Sequence, residues 1–259
     1  MRWFNWARAS WASCLLLGTP AHGAAAEPGR ADTYPQQMQA ARQQLYASHG
    51  DSIISTFMLE RLEYTSNEGD PLAVWEGQGW VGGDIQKLWL KTEGEYLLDE
   101  GDFEEAELQA LYSRAIHPFW DVQLGIRHDI EPDPSRNYLV TGIQGTAPYW
   151  FEIDGAFFLS NKGDLSARLE AEYELRLTQR LMLQPRVELN AAFSDDEAIG
   201  VGSGLSTVQA GLRMRYEISR QFAPYIGVSW NRAFGDTADL SDDDDESTTS
   251  VVAGFRIWF

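Results

Sequence analysis

The stretch LSARLEAEYELRL, residues 165–177, alternates apolar and polar side chains without a break. Its Leu, Ala and Glu residues favour a helix by intrinsic propensity. The spacing favours a strand, because residues two apart share one face of a strand, whereas at about 100° per residue they scatter around a helix. Strands of globular proteins usually span about five or six residues, and membrane-spanning strands need about nine to eleven. The stretch therefore predicts a membrane-spanning strand with one apolar and one charged face.

The same alternation recurs along the chain from residue 85 onward. The predicted strands are 85–95, 104–116, 120–130, 137–144, 149–159, 165–177, 181–193, 207–218, 223–232 and 251–259. An even number of long alternating strands is typical of bacterial outer-membrane barrels. We therefore predict an all-β fold, a transmembrane antiparallel β-barrel of about 10 strands, with about 12 as the alternative count.

The connections between the predicted strands orient the barrel. Counted back from the C-terminus, 233–250 and 194–206 are long, whereas 219–221 and 178–180 are short. Outer-membrane barrels have long external loops and short periplasmic turns. A soluble secreted barrel, with its apolar face turned inward, is the alternative, but it does not explain the aromatic residues that collect on the short side. These are Phe119, Trp120, Tyr149, Trp150, Tyr216, Phe222, Trp258 and Phe259.

The beginning of the chain predicts export and a separate N-terminal segment. Residues 1–26 have the features of a signal peptide, namely a positively charged start, a short apolar run and small residues at the end. Cleavage would remove Cys14, the only cysteine, so the mature protein would have no thiol. Residues 27–80 are predicted to form a periplasmic N-terminal segment, a candidate plug or cap. Residues 81–259 are predicted to form the outer-membrane barrel.

The bulk composition argues against several classes of protein. The mean hydropathy is -0.34, and no run approaches the roughly 18 apolar residues of a membrane helix. The net charge of -19 argues against a nucleic-acid partner and favours cations. An enzyme is not expected, because no Ser motif stands near a His, and the adjacent His128 and Asp129 would face opposite sides of one strand.

Five segments of the chain resemble the copper resistance protein B family. They are GGDIQKLWLKTEGE (82–95), AELQALYSRAIHPFWDVQLGIRHD (106–129), GTAPYWFEIDGAFFLSNKGDLSARLEAEYELRLTQRLMLQPRVELN (145–190), GVGSGLS (200–206) and RQFAPYIGVSWNRAFGDTAD (220–239). The resemblance implies an outer-membrane copper resistance protein that binds or handles copper ions and contributes to copper homeostasis. It makes copper the expected cofactor or bound ion. Outer-membrane lipid and lipopolysaccharide are the expected surroundings.

One feature departs from the pattern of that family. Its members often carry an N-terminal segment rich in Met and His, whose thioether and imidazole groups suit copper. Between the predicted cleavage site and Phe57, this chain has one Met and one His, Met38 and His49. Storage of many copper ions by this segment is therefore not expected.

The candidate copper ligands are the soft side chains that are not predicted to face lipid: Met38, His49, Met58 and Met182. Met182 alternates in step with the charged residues of its predicted strand, so it shares their face and is predicted to point into the lumen. His128 and Met214 have the apolar parity, which favours a lipid-facing or space-filling role. His117 precedes Pro118 in a short turn, where a structural role is expected. No two of these residues show a metal-ligand spacing within one strand.

The charged residues support an alternative function. The segments 100–107, 194–197 and 241–246 are acidic and lie in or beside predicted external loops. Their carboxylates could bind Ca²⁺, Mg²⁺ or, weakly, Cu²⁺, or could be solvated or bridged to lipopolysaccharide. The positions that are predicted to face the lumen include both acidic and basic side chains. This mixture favours an interlocked salt-bridge core over an open cation-conducting pore. The alternative is thus a passive or structural outer-membrane barrel whose acidic loops bind divalent cations.

Overall fold

The computed structural model describes Gln39 and residues 52–66, 71–240 and 247–259. The predicted signal peptide, 1–26, and the candidate ligands Met38 and His49 lie outside the described residues. Residues 51–259 form one compact unit, and that unit is a barrel.

The wall of the barrel is an antiparallel sheet. Its strands are β1 (Ile54–Ser66), β2 (Leu72–Gly82), β3 (Gln86–Leu97), β4 (Asp102–His117), β5 (Trp120–Glu131), β6 (Arg136–Ala147), β7 (Phe151–Ser160), β8 (Leu165–Tyr173), β9 (Leu175–Arg176), β10 (Leu181–Ala192), β11 (Gly204–Tyr216), β12 (Phe222–Ala233) and β13 (Ser247–Trp258). Each strand from β1 to β8 pairs with the next, β8 and β9 both pair with β10, and the order continues through β11 and β12 to β13.

The first and last strands close the barrel. β13 pairs with β1, so that Tyr64 lies opposite Ala253. The short β9 continues the line of β8 along β10 after a break at Glu174, so the two together make one wall strand. The wall therefore has twelve strands, with β9 as the extra short piece. The predicted fold class is confirmed, and the alternative of 12 strands is the correct count.

The predicted boundary between an N-terminal segment, 27–80, and the barrel, 81–259, is wrong for residues 54–66 and 72–80. β1 and β2 occupy this region and belong to the wall, where β1 pairs with β2 on one side and with β13 on the other. The barrel therefore begins at Ile54. The stretch 57–64 is a wall strand and not a plug or cap.

A β-bulge explains why the alternation of β1 escapes notice in the sequence. The pairing of β1 with β2 shifts register between Leu59 and Arg61, so Glu60 is an extra residue and both Glu60 and Arg61 make ion pairs in the lumen. Before the bulge, Phe57 is exposed on the outer face, and after it Leu62 and Tyr64 are exposed there. One inserted residue thus reverses the parity in the middle of the strand.

The two faces of the wall have opposite character. Large apolar side chains are exposed on the outside, among them Leu88, Leu90, Leu124, Ile126, Ile226 and Val228. Charged side chains are buried inside, among them Arg61, Glu63, Glu107, Asp129, Arg186, Glu188, Arg213 and Arg215. This arrangement is that of a membrane barrel, and it excludes the soluble alternative with an apolar interior.

The connections distinguish the two ends of the barrel. Short turns such as Pro118–Phe119 and 177–180 lie at one end, which we call the turn end. The connection 193–203 and residues 234–240, which follow β12, lie at the other, which we call the loop end. The predicted aromatic girdle is present at the turn end, where the following rings are exposed: Phe119, Tyr149, Trp150, Tyr216, Phe222, Trp258 and Phe259.

Helices contribute little to the described part of the chain. Two 3₁₀ helices, Pro148–Trp150 and Glu197–Ile199, and one short helix, α1 (Gly235–Leu240), lie in connections. None of the helices in the described ranges is long and apolar enough to cross a membrane.

Closure of the wall by β1 can be tested with a disulfide between Tyr64→Cys and Ala253→Cys, in a chain in which Cys14 is replaced by Ser. The two residues are opposite each other, and antiparallel neighbours lie about 4.5–5.5 Å apart, within the range of a disulfide. We expect oxidation to shift the band of the folded protein on a non-reducing gel.

The matched control pairs Tyr64→Cys with Ile226→Cys, because Ile226 lies opposite Ala253 on the next strand. Two strand spacings, about 9.5 Å, exceed the span of a disulfide, so no shift is expected. A shift in the control alone, or in neither variant, would mean that β1 does not close the barrel against β13.

Candidate functional site

The inward face of β8 organises the charged lumen. Because alternate residues of a strand share a face, Arg168, Glu170 and Glu172 all point inward, and Glu174 at the break before β9 continues the series. Each of the four contacts a different set of partners inside the lumen. The sequence alternation that predicts the strand therefore also places its charges at successive depths.

A layer of arginines and carboxylates crosses the lumen in the middle of the barrel, and we call it the loop-side layer. Its members are Arg61, Arg127, Arg168, Arg186, Glu76, Glu93, Glu107, Asp129, Glu170 and Glu188. Arg168 is central. Its Nη1 lies 2.9 Å from Glu93 Oε2, its Nη2 lies 3.2 Å from Glu107 Oε2, and its Nε lies 3.5 Å from Glu188 Oε1. One guanidinium on β8 thus binds carboxylates on β3, β4 and β10.

Arg186 extends the loop-side layer to the opposite wall. From β10, its Nη1 contacts Glu76 Oε2 on β2 at 2.9 Å, and its Nε contacts Glu170 Oε1 at 2.7 Å. Arg61 Nε binds the same Glu76 oxygen at 2.7 Å, and Arg61 Nη2 lies 3.8 Å from Glu93 Oε1. The ion pairs therefore form one connected network. This agrees with the prediction from the acidic and basic residues at the lumen-facing positions.

Aromatic rings hold the fourth arginine of this layer. Arg127 binds Glu107 at 2.7 Å and Asp129 at 2.5 Å. Its guanidinium carbon also lies 4.9 Å from the ring centre of Phe158 and 5.3 Å from that of Tyr138. These cation–π contacts fix the side chain against an apolar patch of the lumen wall.

A second crossing, nearer the turn end, is centred on Glu174, and we call it the turn-side layer. Arg256 Nη1 contacts Glu174 Oε1 at 3.1 Å, and Arg215 Nη2 donates a hydrogen bond to the same oxygen. Arg256 Nε lies 2.8 Å from Glu60 Oε2. One carboxylate oxygen thus holds two guanidinium groups from different strands, β11 and β13.

A separate bidentate pair joins β11 to β1. Arg213 Nε and Nη2 donate to the two carboxylate oxygens of Glu63 at 2.8 and 2.9 Å. Gly227 leaves the room for Arg213, because a Cβ there would lie 3.0 Å from its Cγ and 2.4 Å from Leu212 O. Bidentate geometry makes this pair a strong one.

The two described candidate ligands, Met58 and Met182, lie at the turn-side layer. Met182 has no exposed surface, and its Sδ accepts a contact of 3.3 Å from Arg215 Nη2. Met58 Sδ lies 4.0 Å from Arg256 Nη2. The predicted lumenal position of Met182 is confirmed. The structure places each thioether against a different arginine of the pair that binds Glu174.

The other soft side chains lie where the alternation predicts. Met214 is 43% exposed on the outer face. His128 is exposed as well, and its Nδ1 lies 3.0 Å from Asn137 Oδ1. His117 is exposed beside Phe119 at the turn end, with the ring centres 6.1 Å apart. None of these side chains joins the lumenal residues.

Among the lumenal carboxylates without a cationic partner in the described residues are two on the neighbouring strands β7 and β8. Glu152 and Glu172 lie opposite each other on β7 and β8. Glu172 accepts a hydrogen bond from the amide of Gln184, and neither carboxylate has a lysine or arginine within ion-pair distance in the described ranges. Like charges in this position repel. The pair is therefore a point of unbalanced negative charge.

The described residues do not form a ready metal centre of hard or imidazole ligands. No group of three or more His, Cys, Asp or Glu residues in this part of the chain is arranged to hold a metal ion. The donors that the lumen offers to a soft ion are the two thioethers, each covered by a guanidinium. Met182 is fully buried beside Arg215, so a copper ion would have to displace this guanidinium to reach its sulfur.

The acidic residues at the loop end take part in local structure. Asp196 binds Arg136 Nε at 3.1 Å and lies 3.7 Å from Lys162 Nζ, and Asp195 Oδ1 accepts a hydrogen bond of 2.6 Å from the amide of Ser203. Burial raises the pKa of Asp196, but the hydrogen bond and the charge of Arg136 outweigh it, so this pKa lies below its ordinary value. Residues 241–246 lie outside the described part of the chain.

Several lumenal residues are not found by reasoning from the sequence. They are Glu60, Arg61, Glu63, Glu76 and Arg256. The bulge hides those of β1, although the alternation is regular on each side of it. On the outer face of β2, Gly77 and Gly79 occupy positions where large apolar side chains would have made the alternation of a strand visible in the sequence. A search for two alternating runs offset by one residue would have found β1.

A comparison with protein families gives a match over nearly the whole barrel unit. The model of the family described as "Copper resistance protein B precursor (CopB)" matches residues 53–259. The match begins one residue before β1, in agreement with the barrel boundary that the structure shows.

Two curated proteins and the NanC porin are among the proteins that are similar to this chain. A copper resistance protein B homolog of Pseudomonas syringae pv. tomato is 42% identical over 96% of this chain and 90% of its own length. Copper resistance protein B of Escherichia coli is 43% identical over 83% of this chain and 72% of its own length. The NanC porin has a TM-score of 0.52 at 11% identity, over 79% of this chain and 99% of its own, which shows a shared fold.

The central role of Arg168 can be tested with Arg168→Met. The substitution leaves Glu93, Glu107 and Glu188 without a common partner, so we expect the free energy of unfolding in urea to fall by about 3–5 kcal/mol. The matched control is Lys87→Met, because Lys87 has an ion pair with Asp121 alone, beside a cation–π contact with Trp80. The free energy of unfolding of the control should fall markedly less than that of Arg168→Met. Equal losses would mean that Arg168 does not hold the network together.

Proposed function

Because this chain belongs to the copper resistance protein B family, we propose that it acts in bacterial copper resistance as an outer-membrane barrel that binds or handles copper ions. The apolar outer face and the aromatic girdle support the outer membrane as its location. In this placement the turn end faces the periplasm and the loop end faces outward, towards lipopolysaccharide. Residues 1–26 would supply the export signal.

The single observation that carries the copper proposal within the barrel is the position of Met182. A thioether is weakly polar and packs well against apolar groups. Met182 is nevertheless fully buried in the charged lumen, where its sulfur contacts Arg215, a partner of Glu174. Thioethers suit Cu(I) better than hard cations. Met58 offers a second sulfur at the same layer. We propose that copper contacts these thioethers as cargo at the periplasmic side of the lumen.

Met38 and His49 complete the proposed set of ligands. Both precede β1, whose first residue lies at the turn end. A short segment with one thioether and one imidazole can deliver few ions, so the proposal is for low copper stoichiometry. We propose no enzymatic activity, since His128 is exposed on the outer face while its neighbour Asp129 is buried inside.

The competing function is a structural or passive barrel whose acidic loops bind divalent cations. Carboxylates prefer hard ions, and they bind Cu²⁺ without help from methionine. The two functions therefore differ in their dependence on sulfur.

Titration of the refolded mature protein with Cu(I) tests the copper proposal. We expect low stoichiometry, and we expect Met58→Leu and Met182→Leu each to weaken binding, because leucine keeps the volume but removes the thioether. The matched control is Met214→Leu, since Met214 lies on the outer face. It should bind as the unmodified protein does.

Copper tolerance of a deletion strain completes this test. Complementation with the unmodified gene should restore growth in copper, and the Met58→Leu, Met182→Leu double variant should restore it less well. Negligible copper binding together with normal growth of the deletion strain would refute the copper proposal. Binding that is unaffected by all three Met→Leu changes would support the acidic-loop alternative.

A further inference from the structure

The lumen contains two cavities in series. The inner cavity, about 230 Å³, is lined by residues of both layers, including Arg168, Arg186 and Arg215. The second, about 180 Å³, lies at the turn end and is lined by Glu174, Arg215, Glu217, Arg220, Ala223, Arg256 and Trp258. Arg215 lines both cavities. The turn-side layer therefore separates the inner cavity from the mouth at the turn end.

Side chains of the two layers extend across this path. At the turn side the obstruction is the pair Arg215 and Arg256 held on Glu174. Towards the loop end it is Arg168 and Arg186, whose guanidinium groups reach carboxylates across the lumen. Arginine side chains have several rotatable bonds, so each crossing can open by a change of rotamer, without movement of the wall.

The charge of the inner cavity favours cations. Eight acidic and six cationic side chains line it. Glu152 and Glu172 lie between the two layers and have no cationic partner in the described ranges. Much of the remaining polar wall is amide, from Gln78, Gln109, Gln123, Gln144 and Gln184. Such a lining attracts a cation and offers it oxygen ligands without binding it tightly.

We propose that the barrel conducts cations through its lumen and that the two guanidinium–carboxylate layers are gates in series. Both gates are closed in this structure, which makes the resting conductance low. The proposal rests on the outer-membrane placement given above, but it does not depend on copper. It assigns Arg215 and Arg256 to the gate at the turn end, and Arg168 and Arg186 to the gate towards the loop end.

Conductance of the purified full-length protein in planar lipid bilayers with KCl tests the gates. The variants are Arg215→Gln with Arg256→Gln, Arg168→Gln with Arg186→Gln, and all four changes together. Resistances in series add, so opening one gate should raise the single-channel conductance slightly. Opening both should raise it several-fold, by more than the sum of the two separate increases. Under a KCl gradient the reversal potential should move towards that of K⁺.

The control variant is Lys87→Gln. Lys87 faces the lumen and pairs with Asp121, but it lines neither cavity. Loss of this positive charge should leave the conductance unchanged. A high conductance in the unmodified protein, or the same increase in the control as in the four-fold variant, would overturn the proposal. So would a four-fold variant that is folded, as judged by a heat-modifiable band, and does not conduct.

A second measurement starts from the barrel with its arginines unchanged, so its first comparison does not depend on the folding of the arginine variants. Gln144→Cys, with Cys14 replaced by Ser, places a thiol in the inner cavity. In the otherwise unmodified barrel it should react slowly with a small cationic thiosulfonate, and still more slowly with an anionic one. Arg256→Gln with Arg215→Gln should speed the cationic reaction from the turn end. Equal rates for the two reagents, or a rate equal to that of the unfolded protein, would refute the gates.

The copper-binding experiments and the conductance experiments can contradict one proposal without contradicting the other. Gated K⁺ conductance without copper binding would leave the gates in place and remove the copper function. Copper binding in a four-fold variant that does not conduct would retain the copper function and refute the gates.

Discussion

The pairing of charges inside the barrel is the constraint on which the rest of this structure depends. Because the outer face of the wall is apolar, nearly every charged side chain of the wall points into the lumen. Buried charges are costly unless they are paired and hydrogen-bonded. Arg61, Arg168 and Arg186 meet this requirement by each binding carboxylates of more than one strand. The stability of the barrel and the closure of its lumen thus have the same physical origin.

The structure of β8 could be predicted from the sequence, because its period is regular and each residue type agrees with its face. The same holds for the exposed position of Met214 and the buried position of Met182. β1 could not be predicted, since the bulge at Glu60 reverses the alternation in mid-strand. Local pattern thus determines the face on which a side chain lies, as long as no residue is inserted.

The partners across the lumen could not be predicted in the same way. Arg168 binds Glu93 and Glu107, which are far away in the sequence and reach it only because the sheet closes. Parity shows that such residues share the interior, but register and curvature decide which of them meet. The candidate ligands illustrate this limit: Met58 and Met182 share a layer because Arg256 and Arg215 share Glu174.

The pairing of β1 with β13 has a consequence for how the barrel forms. These strands lie at opposite ends of the barrel unit in sequence, so the contact between them closes the longest possible loop of that unit. Until β13 has been made and exported, β1 and the latest strand to appear are both edges with unsatisfied backbone groups. Contacts of this range form slowly. Assembly is therefore all-or-none with respect to the C-terminal strand, and the nascent wall needs protection from aggregation until its last residues arrive.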